Sequence, residues 1–341
     1  MAAVTLQDVA ARAGVSQATA SRVLNGSARI PGEGVADRVR TAARELGYVP
    51  NAQAQALARA STGLLGLIVH DIADPYFSSI VRGVQAAART ARKQVLLAST
   101  DRDFDIEREA VSTFIAHRAD AIVLAGSRQS GHLDRELEAE FGRYRANGGR
   151  VVVIGQPLAF GGAVEPENHF ASAELADALM MSGHTRFAVI GGPANIRTAV
   201  DRRNGFVEAL GRHGLTPLVE VSGSFTRDGG HAAARRLAAA LQLTPGSGAE
   251  PVCVFAVTDV MAIGAIAAWR EHGLAVPRDV CVAGFDDIPT LRDHTPSLST
   301  VALPLEQIGS RAVDLALRTD ADDLRERVPG QVVLRDSTRL P

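Results

Sequence analysis

The sequence predicts an α/β protein with an all-α head at its N-terminus. About 45 residues of short amphipathic helices come first, and alternating short apolar runs and amphipathic helices follow from Gly63 onward. Apolar runs separated by helices are typical of βαβ units, whose parallel sheets are covered on both faces. A length of 341 residues exceeds what one hydrophobic core accommodates, so two or three domains are expected.

The first predicted helix carries one apolar stripe at spacings i, i+3, i+4 and i+7. The stripe consists of Leu6, Val9, Ala10 and Ala13. Thr5 stands where an N-cap belongs, with Asp8 three residues later, and Gly14 ends the helix. Only Val15 separates it from a second helix, which Ser16 caps and which ends near Asn25 and Gly26. Two short helices joined in this way form a helix-turn-helix unit.

The second predicted helix has two faces of different chemistry. Ala20, Val23 and Leu24 occupy an apolar arc, and the opposite arc holds Gln17, Ala18, Ser21, Arg22 and Asn25. Arg22 can donate two hydrogen bonds to guanine, Gln17 can pair with adenine, and the Ala18 methyl can contact a thymine methyl. This arc suits a DNA major groove, although the same periodicity also fits an ordinary helical hairpin with solvated polar residues.

A third amphipathic segment closes the predicted head. Its apolar face consists of Val35, Val39, Ala42, Ala43 and Leu46, and Gly47 ends it. The sequence Tyr48-Val49-Pro50-Asn51 then ends the helical region. The following segment, 52–59, is mostly alanine and glutamine around one large apolar residue, Leu57. So short a stretch does not hold a helix alone in water, and we expect it to fold only when it docks.

Charge and cysteine usage narrow the function classes. Residues 1–60 contain seven arginines and four acidic residues, whereas the remainder contains 29 basic and 34 acidic residues, so positive charge is concentrated where phosphate would be met. No apolar run of about 18 residues and no signal pattern occur, which predicts a cytoplasmic protein with no membrane partner. Cys253 and Cys281 lie in apolar runs without neighbouring histidine pairs, so we expect buried reduced thiols and no metal site. We also expect no cofactor.

Seven apolar runs have the composition of buried strands, namely 64–69, 95–98, 121–125, 151–154, 187–190, 252–257 and 280–283. Ligands of open parallel sheets bind beyond the carboxyl ends of the strands. The residues there are unusually polar and aromatic and include His70, Asp74, Phe77, Thr198, Arg202, Phe225, Thr258 and Asp286. Aromatic faces with carboxylate and guanidinium partners suit a small polyhydroxylated ligand. Gly191 and Asp287 also follow strand ends, but we expect these two residues only to make turns and helix caps.

The N-terminal 60 residues resemble the DNA-binding head and hinge of the lactose- and galactose-repressor family. The resemblance is carried by Val4-Thr5-Leu6-Gln7-Asp8-Val9-Ala10, Ala13-Gly14-Val15-Ser16, Ser21-Arg22-Val23-Leu24-Asn25-Gly26, Glu45-Leu46-Gly47-Tyr48-Val49-Pro50-Asn51 and Ala54-Gln55-Ala56-Leu57-Ala58. It implies that Gln17, Ala18 and Arg22 read the major groove, that Leu57 enters the minor groove, and that the phosphate contacts come from Thr5, Ser16, Thr19, Ser21 and Asn25. Gly32 and Val35 depart from the hydroxyl-bearing residues usual at the third helix, which predicts weaker phosphate binding.

The rest of the chain resembles the effector-binding core of the same family. Asp74-Pro75-Tyr76-Phe77, Gly192-Pro193, Gly205-Phe206, Thr258-Asp259 and Gly284-Phe285-Asp286-Asp287 carry this resemblance. It implies a type I periplasmic-binding-protein fold, in which three strands cross between two α/β lobes and the ligand lies between the lobes. Arg202 and Asp286 would grip ligand hydroxyls, Phe225 would stack on a ring, and the cleft would be lined by His70, Asp74, Phe77, Thr198 and Thr258.

The expected effector is a sugar or sugar derivative, and three residues argue against a standard hexose or galactoside. Ala125, Gly155 and Leu303 stand where sugar-binding members of the family have polar residues. The resemblance further implies a DNA-binding domain at 1–49, a hinge at 50–61 and an effector-binding and dimerisation core at 62–341. The first lobe would comprise about 62–160 and 292–322, and the second about 161–291 and 323–341.

The expected protein is a repressor that binds a near-palindromic operator in double-stranded DNA as a homodimer at the nucleoid. A binding protein of a transporter would share the two lobes, but it would need an export signal and no DNA-binding head. Enzyme motifs are also missing: the sequence has no glycine-rich phosphate loop followed by lysine, no His-Glu-x-x-His and no Gly-x-Ser-x-Gly. We therefore expect no catalytic residues.

Overall fold

The computed structural model describes residues 4–25, 32–49, 61–127, 135–318 and 324–340. The chain forms two compact units, Met1–Gly63 and Leu64–Pro341. The predicted hinge segment with Leu57 and the end of the second helix at Gly26 lie outside the described residues.

The N-terminal unit contains α1 (Leu6–Ala13), α2 (Gln17–Asn25) and α3 (Glu33–Glu45). Thr5 and Asp8 form the predicted capping box of α1, and Gly14 ends the helix with φ at 64°. A small core of alanine and valine side chains from all three helices includes Val9, Ala20 and Val39. The three-helix head that the periodicity predicts is thus confirmed.

The larger unit begins with a sheet of six parallel strands, counted among the described residues. Its spatial order is β11-β5-β4-β3-β1-β2. The strands are β1 (Leu64–Val69), β2 (Gln94–Ser99), β3 (Ala121–Ala125), β4 (Arg150–Ile154), β5 (Gly162–Pro166) and β11 (Arg325–Val328). Helices α4 (Pro75–Thr90) and α11 (Leu305–Leu317) contact this sheet, as do α5 (Phe104–Ala116) and α6 (Arg135–Ala146). We call this sheet with its four helices the first lobe.

The second lobe is built on a parallel sheet with the order β7-β6-β8-β9. Its strands are β6 (Phe187–Gly191), β7 (Glu220–Ser222), β8 (Val252–Ala256) and β9 (Val280–Ala283). The helices of this lobe are α7 (Asn168–Met181), α8 (Arg197–Arg212), α9 (Arg227–Ala240) and α10 (Asp259–Glu271). They pack as the pairs α7 with α8 and α9 with α10.

Three connections join the lobes. The chain leaves the first lobe after β5, returns through β10 (Thr300–Ala302) to α11, and leaves again after β11 through β12 (Gln331–Val333). Strands β10 and β12 pair antiparallel between the lobes. The predicted lobe boundaries fall one strand early, because β5 and β11 pair with each other in the first sheet. A short strand that begins with glycine and ends with proline carries little strand signal in the sequence.

Helices α4 and α11 approach each other closely at two glycines. A side chain at Gly83 would overlap the Glu306 carbonyl, and one at Gly309 would overlap the Ile80 carbonyl. Between the helices lie Ile80, Val84, Ile308 and Ala312, all fully buried. The absence of two side chains therefore sets the distance between these helices.

Both cysteines are free thiols in the buried second sheet, as predicted. Cys253 of β8 and Cys281 of β9 are register partners on neighbouring strands. Burial raises the pKa of both thiols, that of Cys281 to about 12, which keeps them protonated at neutral pH. In the described parts of the chain, no helix is long and apolar enough to cross a membrane.

Candidate functional site

The exposed face of α2 carries the three residues that the sequence assigns to base contacts. Gln17, Ala18 and Arg22 are exposed, whereas Ala20 and Val23 on the opposite side are buried in the head core. The two faces therefore separate as the periodicity predicts. A helix with its polar face free and its apolar face anchored is the arrangement that enters a major groove.

Hydroxyl groups surround the start of α1 and α2. The Ser16 Oγ accepts a hydrogen bond from the Thr19 amide at 3.1 Å and lies 2.9 Å from the Thr19 hydroxyl. The Thr5 hydroxyl donates to Asp8 Oδ2 at 2.8 Å and accepts from the Asp8 amide. A phosphate contact by the Thr5 hydroxyl would require it to turn away from Asp8, because it has a single proton to donate.

Three other residues predicted to contact DNA are partly buried or lie outside the described residues. Ser21 is partly buried on α2, and the Asn25 side chain and all of Leu57 lie outside the described residues. Gly32 precedes α3 and supplies no side-chain hydrogen bond to it, in keeping with the departure noted at that position. The roles of these residues at phosphate and in the minor groove stay predictions.

A buried ion pair lies in the larger unit where β8 and β9 end. The Arg202 Nη2 of α8 donates to Asp286 Oδ1 at 2.7 Å, and the two residues are only 2% and 3% exposed. Arg202 also donates to the Val257 carbonyl and to Asn168 Oδ1, each at 2.8 Å. Its guanidinium carbon lies 3.9 Å from the centre of the Phe285 ring. Four groups from three segments of the chain thus fix the direction of this guanidinium.

Burial and the Arg202 guanidinium have opposite effects on the pKa of Asp286. Desolvation raises the pKa of Asp286 to about 6, and the adjacent Arg202 guanidinium limits the rise. The Asp286 backbone has φ at 120°, and its amide donates to the Val301 carbonyl on a strand that crosses between the lobes. The carboxylate that pairs with Arg202 is therefore joined through its own backbone to a crossing strand.

The first lobe contributes Asp74, Phe77 and His70 from the end of β1 and the start of α4. Asp74 caps α4 by accepting the Tyr76 amide at 2.9 Å. Burial raises the pKa of Asp74, and Arg102 and Arg202 lower it, so this carboxyl group lies within electrostatic range of the second lobe. The His70 ring packs edge-on against Phe77 at 5.7 Å between centroids. Three of the predicted cleft residues therefore lie together.

Two contacts bring Thr198 and Phe225 to the same region. The Thr198 amide donates to the Ser127 hydroxyl, which follows β3, at 3.0 Å. Ser127 is also held by His70, whose Nε2 lies 3.0 Å from the Ser127 carbonyl oxygen. The Phe225 ring lies 5.5 Å from the guanidinium carbon of Arg102, which follows β2. Residues from the ends of several parallel strands thus surround one cleft between the lobes.

Thr258 and Asp287 have structural partners. The Thr258 hydroxyl caps α10 by accepting the Met261 amide at 3.4 Å. Asp287 does more than make a turn, because its carboxylate accepts from Arg335 Nη1 at 2.7 Å and so joins β9 to the C-terminal segment. Ala125 and Leu303, two of the departures from the family pattern, are buried.

Sequence reasoning did not identify Asn168, Arg102 or Ser127. Asn168 is the first residue of α7 and accepts from Arg202 Nε. Arg102 and Ser127 lie in loops and carry no periodic signal. Their positions after strand ends were the available indication, since that is where ligand-contacting residues of parallel sheets occur. Among the described residues, no group of three or more His, Cys, Asp and Glu is arranged to hold a metal ion.

Comparison with known proteins gives matches to both units. Residues 5–51 match the model of bacterial regulatory proteins of the lacI family, and residues 176–338 match a periplasmic binding protein-like domain. The HTH-type transcriptional regulator GalS of Salmonella typhimurium is 33% identical over 325 residues, which cover 94% of this chain and 91% of GalS.

Two solved structures are similar over almost the whole chain. The Lac repressor dimer, solved bound to operator and the anti-inducer ONPF, aligns with a TM-score of 0.83 at 23% identity and covers 99% of this chain and 100% of its own. The complex of the transcriptional regulator CelR with cellobiose aligns with a TM-score of 0.68 at 29% identity and covers 98% and 99%. The first of these shows a shared fold, and the second adds sequence similarity to it.

Proposed function

The chain belongs to the LacI family of DNA-binding transcriptional regulators, which are not enzymes, and from this membership we propose that it represses transcription as an effector-controlled homodimer. The exposed Gln17, Ala18 and Arg22 face of α2 is the observation that carries the proposal. Two copies would present two such faces to the half-sites of a near-palindromic operator, about one helical turn or a multiple apart. The site of action would be the nucleoid in the cytoplasm.

The DNA-binding face supports sequence-specific recognition through few residues. Arg22 offers a fork of donors that fits guanine O6 and N7, and its neighbours on the exposed arc offer an amide and a methyl group. Leu57 would wedge into the minor groove at the operator centre, a step that bends DNA at a cost of a few kcal/mol of unstacking. The Lac repressor structure, which has the same fold, was solved as a dimer on its operator.

The cleft supports a carbohydrate as the effector. Arg202, Asp286 and Asp74 provide charged donors and acceptors, and Phe225 provides an aromatic ring on which the apolar face of a sugar can stack. Ala125 and Leu303 are buried and stand where sugar-binding members of the family have polar residues, which favours a sugar derivative over a plain hexose. CelR, a regulator of similar sequence, was solved with the disaccharide cellobiose.

The proposed mechanism links the cleft to the DNA through the dimer. Effector binding would change the angle between the lobes, and the altered dimer surface would separate or align the two hinge segments. A coupling of about 1–3 kcal/mol between the two sites is typical of such regulators. The hinge acts as the switch in this mechanism, because Leu57 can insert only when both hinges fold together.

Selection from a random duplex library with the full-length protein tests the proposal. We expect a symmetric consensus bound by one dimer. An Arg22→Ala variant should bind it more weakly by about 5- to 150-fold for each half-site, because each half-site loses one bidentate base contact. The variant should keep its non-specific DNA binding and lose its preference at one position of each half-site.

Arg44→Ala provides the matched control. It removes an exposed arginine near the end of α3, whose Nη2 donates to the Thr41 hydroxyl, and should leave the affinity for the consensus nearly unchanged. Failure to select any symmetric duplex, or equal binding by the Arg22→Ala variant and the wild type, would overturn the proposal.

A further inference from the structure

Arg102 and Phe225 connect the two lobes. Arg102 lies in the loop after β2, Phe225 lies in the loop after β7, and the guanidinium carbon is 5.5 Å from the ring centre. This distance is within the range of a cation–π interaction. The ring also packs on Gly192, where any side chain would overlap Phe225. The side of the ring that faces the first lobe is therefore the one on which Arg102 lies.

The backbone holds Arg102 in an uncommon conformation. Asp101 and Arg102 have φ angles of 49° and 64°, two successive left-handed residues, neither of them glycine. The Asp101 amide donates to the His70 carbonyl at 2.6 Å, and the Asp103 amide donates to the Thr100 carbonyl at 2.8 Å. Such conformations persist where the surroundings enforce them and are concentrated in ligand clamps and switches. Here the surroundings include a cleft residue, His70.

A second interlobe contact lies at the start of α8. Ile196 occupies the N-cap position of this helix and has no side-chain group to cap it. The Ser127 hydroxyl accepts the hydrogen bond of the Thr198 amide instead, which is what an N-cap side chain normally does. The cap therefore comes from the other lobe, and the helix that it caps carries Arg202 one turn further on.

We propose that Arg102 and Ser127 form an interlobe latch, in which the guanidinium on Phe225 and the hydroxyl on α8 hold the two lobes together. This inference rests on the proposed function, since it assigns the cleft to the effector. A sugar that stacks on the first-lobe side of Phe225 has to take the place of the Arg102 guanidinium. The effector and the Arg102 guanidinium therefore compete for the same face of the Phe225 ring.

The displaced guanidinium has acceptors nearby. Asp71, Asp74 and Asp101 all lie within electrostatic range of Arg102. Asp71 and Asp101 are on the same lobe as Arg102 and belong to neighbouring loops. Movement of Arg102 from the ring to these carboxylates would release the second lobe and keep the charge paired.

Hydrogen exchange measured by mass spectrometry on the full-length protein, purified without added sugar, tests the latch. Arg102→Ala and Ser127→Ala should each raise the exchange rate in the segment that contains the Thr198 amide, by about 2- to 30-fold for a contact of the usual strength. Exchange in the segment of β8 should stay at the wild-type rate, because that strand lies in the interior of the second sheet. Ser127→Thr keeps the hydroxyl and should restore slow exchange.

The matched control is Arg108→Ala, which removes an arginine of the same lobe whose partners, Asp105 and Glu136, lie outside the cleft. It should leave exchange at Thr198 unchanged. Unchanged exchange at Thr198 in either latch variant, and in Arg102→Ala above all, would overturn the inference, as would an equal rise in β8. The measurement uses neither operator nor effector, so its failure leaves the proposed regulator standing, and a failure of operator binding leaves the exchange result intact.

Discussion

Asp259 has no exposed surface and lies beneath the cleft at the start of α10. Its Oδ1 accepts the Thr300 hydroxyl at 2.7 Å, and its Oδ2 accepts the Ile288 amide at 3.0 Å. Burial raises the pKa of this carboxyl group to about 8, with a further rise from the neighbouring Asp286 charge. Asp259 therefore joins α10 to a crossing strand, and its carboxyl group stays protonated at neutral pH.

The free energy of unfolding should fall with pH because of Asp259. The folded protein keeps the Asp259 proton up to about pH 8, whereas the unfolded chain releases it near the ordinary pKa of 3.8. Its stabilising contribution is thus complete below that ordinary value and is lost as pH rises through the folded value. We expect the wild type to lose about 1 kcal/mol per pH unit, relative to Asp259→Asn, between about pH 5 and pH 8.

Urea unfolding at a series of pH values measures this difference. Asp228→Asn, which changes an exposed aspartate in the first turn of α9, provides the control and should track the wild type. A constant difference between the wild type and Asp259→Asn across this pH range would show that the carboxyl group is ionised in the folded protein.

At the scale of elements, the close approach of α4 and α11 predicts a large effect from a single methyl group. Gly83→Ala would place a carbon atom against the Glu306 backbone carbonyl, which cannot move without shifting α11. We expect a loss of about 1–3 kcal/mol in the free energy of unfolding, as for other overpacked interiors. Thermal or urea unfolding provides the measurement.

Gly142→Ala on α6 is the matched substitution, because nothing lies within 4 Å of the added carbon. It should stabilise the protein by about 0.5–1 kcal/mol through helix propensity. Equal effects of the two substitutions would mean that contact at Gly83 is relaxed by movement of the helices.

The elements that the sequence predicts best are those with strong periodicity. The runs at 64–69, 121–125 and 280–283 coincide with β1, β3 and β9. Strands β5, β10, β11 and β12 were not predicted, since they are short and include glycine, proline, charged or polar residues. Their pairing is set by the crossing of the chain between the lobes, which leaves no local pattern in the sequence.

At the scale of the whole molecule, the resemblance to a family predicted a cleft between two lobes. Some residues of this cleft were predicted from the sequence, and others were not. Arg202 and Asp286, which were predicted, are 84 positions apart in the chain, and Arg202 Nη2 lies 2.7 Å from Asp286 Oδ1 in the structure. Arg102 and Ser127 were missed, because their roles depend on loop conformation and on a contact with the other lobe. Periodicity reports which face of an element is buried, but not which loops meet.

Arg202→Ala should separate the two proposed activities of the molecule, operator binding and the response to an effector. The variant should keep its affinity for the selected operator, since the head forms a compact unit of its own, and should lose its response to the effector. It should also melt at a lower temperature than the wild type, because Asp286 is left buried without its partner.

The probe for this test is the sugar that most raises the melting temperature of the wild type in a thermal-shift screen. Operator titrations with and without that sugar give the response of each variant. Arg203→Ala, which changes the adjacent arginine that pairs with Glu220 at the surface, should respond as the wild type does. A full response by Arg202→Ala would place the effector elsewhere.

Because Cys253 and Cys281 are buried, the distance between the two lobes can be measured with labels on engineered cysteines. Maleimide reagents need an accessible thiolate, and these two thiols are fully buried and protonated. A cysteine engineered on each rim of the cleft would therefore accept a fluorophore or spin label without removal of the native pair. Distances between such labels could then be followed in single molecules on operator DNA as sugar is added.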